Sequence, residues 1–201
     1  MRYFSWHQYS GSDEKDSEPP WSLSMGLDNR QEWDLRLGKC IEDWDPDTTA
    51  YYDDEEVEYS DYPFVDGLLP VYSARLRSLM EGLGIEGIQY LPLKIKRRDG
   101  TQEVEGYSIA NYLNVIDCLD RERSVYEVWT KDNLLFWEKR PDMLGTFCDV
   151  RRAVIDSKKT GDVPLFRLWG WEMMVIVRED VKQAIEKAGI TGCEFREIEV
   201  I

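Results

Sequence analysis

The clearest pattern of apolar and polar positions is a helical stripe in the middle of the chain. Apolar residues recur there three and four positions apart, at Leu76, Leu79, Met80 and Leu83. This spacing places them on one face of an α-helix. Ser73 stands before the stripe as a candidate N-cap, and Gly84 follows it as a residue suited to the left-handed conformation that ends helices. The pattern predicts a helix over Ser73–Gly82.

A second helical stripe lies near the end of the chain. Its apolar positions are Val181, Ala184, Ile185 and Ala188. Glu179 and Asp180 fall in the first turn and Lys187 in the last, where each charge suits the helix dipole. The pattern predicts a helix over Glu179–Ala188 that ends at Gly189.

The residues that follow the two stripes resemble each other. Residues 83–90 match residues 188–195 at an offset of 105 positions, and the stripes align at the same offset. Convergence on one kind of helix end and duplication of a helix–strand unit both explain the match. Either way, we expect two helix–turn–strand units, with Ile85 against Met80 and Ile190 against Ile185.

Short apolar runs separated by turn residues predict strands. The candidates are Ile88–Ile95, a strand beginning near Glu103, Val115–Ile116, Val125–Trp129, Leu134–Trp137, Val150–Ile155, Met174–Val177 and Cys193–Val200. Arg98, Asp99 and Gly100 form a turn signal between the first two, which predicts a hairpin. We therefore expect an α+β fold in which a mostly antiparallel sheet is packed by at least two helices.

The region from Ile41 to Asp66 departs from these patterns, because acids alternate with aromatic residues and no Lys or Arg occurs between Cys40 and Ala74. Such dense like charge predicts a solvated loop or an exposed edge. Rings supply contact area and carboxylates steer a basic partner. The candidate partner-binding residues are Trp44, Tyr51, Tyr52, Asp53, Asp54, Glu55, Glu56, Glu58, Tyr59 and Asp61. The alternative is that the segment only keeps the protein soluble.

The net charge of the 201-residue chain is −15, which disfavours binding to nucleic acid or anionic membranes and favours a basic partner. Residues 1–66 hold 18 acidic and 5 basic residues, a net charge of −13. We therefore distinguish an acidic, aromatic-rich N-terminal region, residues 1–66, from an α+β domain, residues 67–201. No secretory signal and no apolar run of membrane-spanning length is found, so a cytoplasmic protein is expected.

Residues that carry catalysis or bind metals are sparse. His7 is the single histidine, so a nucleophile with a histidine base is not expected. The four cysteines are too far apart in sequence for a typical zinc site, and we expect them reduced and buried. Asp53–Glu56 lacks the spacing of an EF-hand calcium loop. The sequence thus predicts no catalytic residue, no metal and no cofactor.

Two clusters have competing interpretations. Asp117 and Asp120 could serve as paired carboxylates in glycoside hydrolysis, but nearby arginines favour a turn held by local ion pairs. Trp169 and Trp171 flank Gly170 and would project to the same side of an extended chain, as a partner platform. The favoured interpretation is that these rings cover the core beside a tight turn.

Three stretches together form a moderately specific pattern: Val71–Arg77 leading through Gly87 to Leu91–Leu93, Leu113–Ser124, and Pro164–Leu168 with Val175–Val177 and the closing helix. In their order and spacing they resemble the "immunity protein eleven" family of bacterial polymorphic toxin systems. The resemblance covers residues 65–200 and is poor over residues 7–64. It departs at Arg178, where a capping Ser is more usual. It implies an inhibitor that binds and neutralises a cognate toxin, with no catalytic residues to carry over.

Two other functions stay open at this point. One is a hydrolase that uses the Asp117 and Asp120 cluster. The other is an acidic regulatory module that mimics DNA. The sequence does not identify the toxin, its activity or the oligomeric state, and it does not say whether inhibition acts at the toxin's active site or beside it.

Overall fold

The structure is a computed structural model that describes residues 1–8, 22–27, 29–52, 59–65, 69–135 and 138–201. The described residues form fourteen strands, four α-helices and one short 3-10 helix, Pro141–Met143. The strands are β1 (Tyr3–Gln8), β2 (Ser22–Met25), β3 (Thr49–Tyr52), β4 (Phe64–Val65), β5 (Val71–Ser73), β6 (Ile88–Arg97), β7 (Glu103–Tyr112), β8 (Val115–Ile116), β9 (Val125–Val128), β10 (Phe147–Arg152), β11 (Val154–Ile155), β12 (Leu165–Leu168), β13 (Trp171–Arg178) and β14 (Cys193–Val200). The helices are α1 (Asn29–Arg36), α2 (Ala74–Gly82), α3 (Ser157–Thr160) and α4 (Glu179–Lys187).

Helix α2 begins and ends as its sequence predicts. The Ser73 side chain accepts a hydrogen bond from the amide of Leu76, which satisfies one of the free N–H groups of the first turn. Gly84 follows the helix with φ +67°. The amide of Ile85 then donates to the carbonyl of Met80 at 3.1 Å, and both side chains belong to one core. These bonds satisfy carbonyl groups of the last turn.

Helix α4 repeats this arrangement. The amide of Ile190 donates to the carbonyl of Ile185 at 3.2 Å, and Gly189 has φ +63°. Strand β6 follows α2 and strand β14 follows α4, so both predicted helix–turn–strand units are confirmed. The start of α4 has no side-chain cap, because the Arg178 guanidinium has no acceptor atom for a backbone N–H. The guanidinium pairs with Asp180.

The first sheet has the order β11-β14-β1-β13-β12-β8. Its middle strand, β1, lies antiparallel to β13 and β14, with Phe4 opposite Val177 on one side and Glu197 on the other. Its two outermost pairings, β11 with β14 and β12 with β8, are parallel. A separate two-stranded sheet of β9 and β10 packs beside it.

The second sheet has the order β4-β2-β3-β6-β7-β5. The predicted hairpin forms its centre, since β6 and β7 pair antiparallel and Gly100 has φ +76° in the turn. Strand β3 lies between β2 and β6. The expectation of a loop or exposed edge is therefore wrong for residues 49–52, whose backbone groups pair on both sides.

The α+β prediction is confirmed, and the expectation of a mostly antiparallel sheet is only partly correct, because both six-stranded sheets are mixed. Four of the strand pairings are parallel among the described residues. Parallel partners come from distant parts of the chain, so local turn signals do not reveal them. Residues 1–66 supply β1 to the first sheet and β2–β4 to the second, and both sheets therefore contain strands from either side of residue 66.

The two sheets and helices α2 and α4 share one central core that is rich in aromatic rings. Trp6 lies at its centre, 4.8 Å from Tyr62 and 5.8 Å from Tyr72 between ring centroids. The hydroxyls of Tyr72 and Tyr112 form a buried hydrogen bond of 2.7 Å. Large rings fill this core with few residues, which explains part of the high tryptophan and tyrosine content.

Other predictions need correction. Leu134 and Leu135 of the predicted strand Leu134–Trp137 lie in a turn after β9, and residues 136–137 lie outside the described residues. Cys118 is buried, but Cys40 is exposed. Helix α1 and strand β12 were not predicted at all. In α1 the apolar residues Trp33 and Leu35 make no helical stripe, and Arg167 interrupts the apolar run of β12.

Candidate functional site

The predicted acidic and aromatic contact residues do not form one uniform surface. The carboxylates Asp53, Asp54, Glu55, Glu56 and Glu58 lie outside the described residues, as does the rejected calcium loop Asp53–Glu56. The remaining five predicted residues lie within the described part of the chain and divide into exposed rings, core rings and one structural carboxylate.

Tyr51 and Tyr59 are the exposed rings. They stand on either side of the carboxylates in sequence, Tyr51 on β3 and Tyr59 just before β4. The Arg98 guanidinium lies 5.7 Å from the centroid of the Tyr51 ring. The Gln102 amide donates a hydrogen bond to the Tyr59 hydroxyl. Both rings are held in place and still offer surface to a partner.

Tyr52 and Trp44 belong to the core instead. The Tyr52 side chain is 1% exposed, and burial raises its pKa to about 12. Trp44 packs at the edge of the core around Leu23 and Leu35, and its indole N–H donates to the carbonyl of Pro92 at 2.8 Å. Alternation along β3 accounts for the difference between Tyr51 and Tyr52. Tyr52 is therefore buried within the protein, whereas Trp44 is only partly buried.

Asp61 joins the start of α2 to the turn after α4. Its carboxylate accepts hydrogen bonds from the Ser73 hydroxyl at 2.7 Å, the Arg75 guanidinium at 3.0 Å and the Thr191 amide at 3.1 Å. The side chain is only 12% exposed. Because its acceptor sites are used within the molecule, the geometry assigns Asp61 a structural role.

The Asp117 and Asp120 cluster is a turn held by ion pairs, as the favoured interpretation predicts. Asp117 pairs with Arg121 at 3.0 Å and Asp120 with Arg123 at 2.7 Å. Asp120 also accepts the amides of Glu122 and Arg123, and these bonds lower its pKa. A general acid needs a raised pKa, so the environment of Asp120 does not suit that role.

The structure reveals a groove that the sequence does not predict, which we call the tryptophan groove. It has a volume of about 550 Å³, and four of the chain's eight tryptophans line it. These are Trp33 of α1, Trp129 after β9, and Trp169 and Trp171 of the β12–β13 hairpin. The helix, the β9–β10 sheet and the hairpin are far apart in sequence, and only the folded chain brings them together.

The tip of the β12–β13 hairpin is fixed by hydrogen bonds. Gly170 has φ +78°, and a Cβ atom there would lie 3.2 Å from the Phe147 ring. The Glu172 carboxylate accepts the Gly170 amide at 2.9 Å, while the buried Arg167 guanidinium donates to the Glu172 carbonyl at 2.8 Å. Trp169 remains 40% exposed. The tight turn is confirmed, and it presents one ring to solvent.

Sequence reasoning identified Trp169 and Trp171 but missed Trp33 and Trp129. The one feature of the sequence that could have indicated the groove is the number of tryptophans, because the chain has more of them than are buried in its central core. Of the described tryptophans, Trp6 is the one that is buried in the central core. An excess of tryptophan over core positions is typical of interaction surfaces.

Within the described ranges, no helix has both the length and the apolar character needed to cross a membrane. Over the same residues, no group of three or more His, Cys, Asp or Glu side chains is arranged to hold a metal ion.

Comparison with known families gives one match. The model of the Immunity protein family (Imm11) matches residues 10–200. The match extends beyond the resemblance that starts at residue 65, because it includes the acidic N-terminal region. No curated protein matches this chain. Since the family match spans nearly the whole sequence, the chain belongs to the Imm11 immunity protein family.

Proposed function

We propose that this protein neutralises a cognate bacterial toxin by binding it stoichiometrically in the cytoplasm. The observation that carries the proposal is the family match over residues 10–200. The proposal assigns no catalytic step to the chain, which agrees with the ion-paired state of Asp117 and Asp120. No specific observation favours the hydrolase or the DNA mimic.

We further propose that Tyr51, Tyr59 and the carboxylates between them in sequence contact the toxin. Tyr51 and Tyr59 supply exposed rings. Five carboxylates lie between them in sequence, at Asp53, Asp54, Glu55, Glu56 and Glu58. Such a segment attracts a toxin with a basic binding face and speeds the encounter. It acts either by plugging a basic active-site cleft or by binding beside it.

The steering role is tested by removing charge without removing volume. The triple variant Asp53→Asn, Glu55→Gln, Glu56→Gln is compared with a control that loses three exposed carboxylates elsewhere. The control is Glu105→Gln, Glu122→Gln, Glu138→Gln. The association rate with the toxin encoded by the adjacent gene is measured over a salt series. We expect the triple variant to associate about 10-fold more slowly at low salt. Equal rates for the two variants contradict steering by this segment.

A further inference from the structure

The tryptophan groove combines three partly buried rings, Trp33, Trp129 and Trp171, with two exposed apolar side chains. Trp169 is 40% exposed and Met173, also in its lining, is 45% exposed. Adjacent exposed apolar side chains of this size mark interaction sites in soluble proteins. Tryptophan is also the residue most enriched among the side chains that dominate binding energy.

The charges in the groove lining indicate an uncharged occupant. Two cations and two carboxylates line it, so their net charge is zero in a chain with a net charge of −15. All four already have partners within the chain. These are Arg36 with Glu32 at 2.6 Å, Lys39 with Asp34 at 2.8 Å, Asp142 with Arg140 at 2.7 Å, and Glu172 with the Gly170 amide at 2.9 Å. An uncharged apolar occupant would leave these pairings intact.

Two of the four groove tryptophans already have a guanidinium beside the ring. The Arg140 guanidinium lies 3.9 Å from the centroid of the Trp33 ring. The Arg121 guanidinium lies 5.8 Å from the centroid of the Trp169 ring. A guanidinium beside a ring repels a second cation there. Trp33 and Trp169 are therefore less suited to binding a cation than to packing against an uncharged group.

A segment of another protein fits better than a second copy of this chain. Two copies would each bring a net charge of −15 to the contact, and their mutual repulsion opposes association. A basic partner carries the opposite charge and approaches this protein favourably. An apolar side chain on such a partner would cover the exposed rings and remove them from water.

We propose that the toxin inserts an uncharged apolar anchor, aromatic or aliphatic, into the tryptophan groove. This inference rests on the proposed function, since it names the toxin as the occupant. The apolar anchor and the carboxylates of residues 53–58 then affect different rates of toxin binding. The carboxylates set the salt-dependent association rate, and the groove sets the dissociation rate through apolar contact that salt does not screen.

The test uses the full-length chain and the toxin encoded by the adjacent gene. Trp169→Ala removes an exposed ring of the groove, and Met173→Ser removes a second groove side chain at the edge of the hairpin. Leu83→Ala is the matched control, because Leu83 is 42% exposed and lies outside the groove. Dissociation constants, association rates and melting temperatures are measured for all three variants.

We expect Trp169→Ala to weaken toxin binding about 30-fold, mainly through faster dissociation. Met173→Ser should weaken it in the same way and Leu83→Ala should not. If Trp169→Ala unfolds the protein, the toxin affinity of Met173→Ser tests the role of the groove. Wild-type affinity in the folded groove variants overturns the inference, as does an equal loss in Leu83→Ala. A wild-type protein that does not bind the toxin overturns the proposed function itself, and this result is distinct because no variant is needed to see it.

Discussion

Asp61 provides the sharpest test of the distinction between a partner contact and a structural carboxylate. The variant Asp61→Ala removes the acceptor for the Ser73 hydroxyl, the Arg75 guanidinium and the Thr191 amide. Thr191 in turn anchors the segment before β4, because its carbonyl accepts the Tyr62 amide at 3.1 Å. The perturbation therefore affects α2, the turn after α4 and the connection between them.

The loss of unfolding free energy in Asp61→Ala depends on the number of these hydrogen bonds and on their exposure to water. Hydrogen bonds to a charged acceptor contribute about 1.5–3 kcal/mol each when buried. The Arg75 side chain is half exposed, so its ion pair contributes roughly 0–1 kcal/mol. Water replaces part of the lost bonding at the site. We expect Asp61→Ala to lower the free energy of unfolding by about 2–3 kcal/mol, which lowers the melting temperature by about 4–12 °C for a chain of this size.

The assay is thermal unfolding followed by circular dichroism, with toxin affinity measured at a temperature where each variant is folded. Glu42→Ala serves as the control, because it removes one exposed carboxylate from the same acidic region. It should change stability by less than about 0.5 kcal/mol. The folded Asp61→Ala protein should bind the toxin as wild type does. An unchanged melting temperature together with lost toxin binding would refute the structural role.

Three other predictions concern backbone strain, pH and the alternative of a hydrolase. Gly38→Ala should destabilise the protein by about 3 kcal/mol in urea unfolding, because φ is +66° and the new Cβ would lie 2.5 Å from the Tyr112 carbonyl oxygen. Burial raises the pKa of Tyr72 and Tyr112 well above 10, so the folded state holds these protons more tightly than the unfolded state. Their contribution to stability is complete below about pH 10, so unfolding free energies should fall as the pH rises above about 10. A flat profile contradicts this. The double variant Asp117→Asn, Asp120→Asn should still protect cells from the toxin in a growth assay. Loss of protection by the folded variant would support a hydrolase that uses these two carboxylates.

The helix ends are the part of the fold that the sequence predicts best. Ser73 caps α2, Gly84 and Gly189 end their helices, and Ile85 and Ile190 fold back as expected. Each of these helix ends depends on residues within six positions of one another, so a short stretch of sequence is enough to predict it. Strand pairing cannot be predicted from so short a stretch. The parallel pairing of β3 with β6 joins residues more than forty positions apart, and no local signal specifies it.

The candidate site divides in the same way. Alternation of acids and rings correctly identified a segment with exposed aromatic residues at Tyr51 and Tyr59. The same composition could not separate them from Tyr52, because the side of the sheet that a ring faces depends on the register of β3. The tryptophan groove cannot be predicted from local sequence patterns, since Trp33 and Trp169 lie more than a hundred residues apart in sequence.

We propose that this chain protects cells by forming a complex with a toxin. The most direct measurement is co-expression with the protein encoded by the adjacent gene, followed by purification and determination of the stoichiometry of the complex. We expect growth to be restored only when the chain is present in at least the amount of the toxin, and the two proteins to co-purify at a fixed ratio. Rescue by a small fraction of that amount without a complex would contradict binding and indicate catalysis. Absence of both rescue and complex would contradict the immunity function.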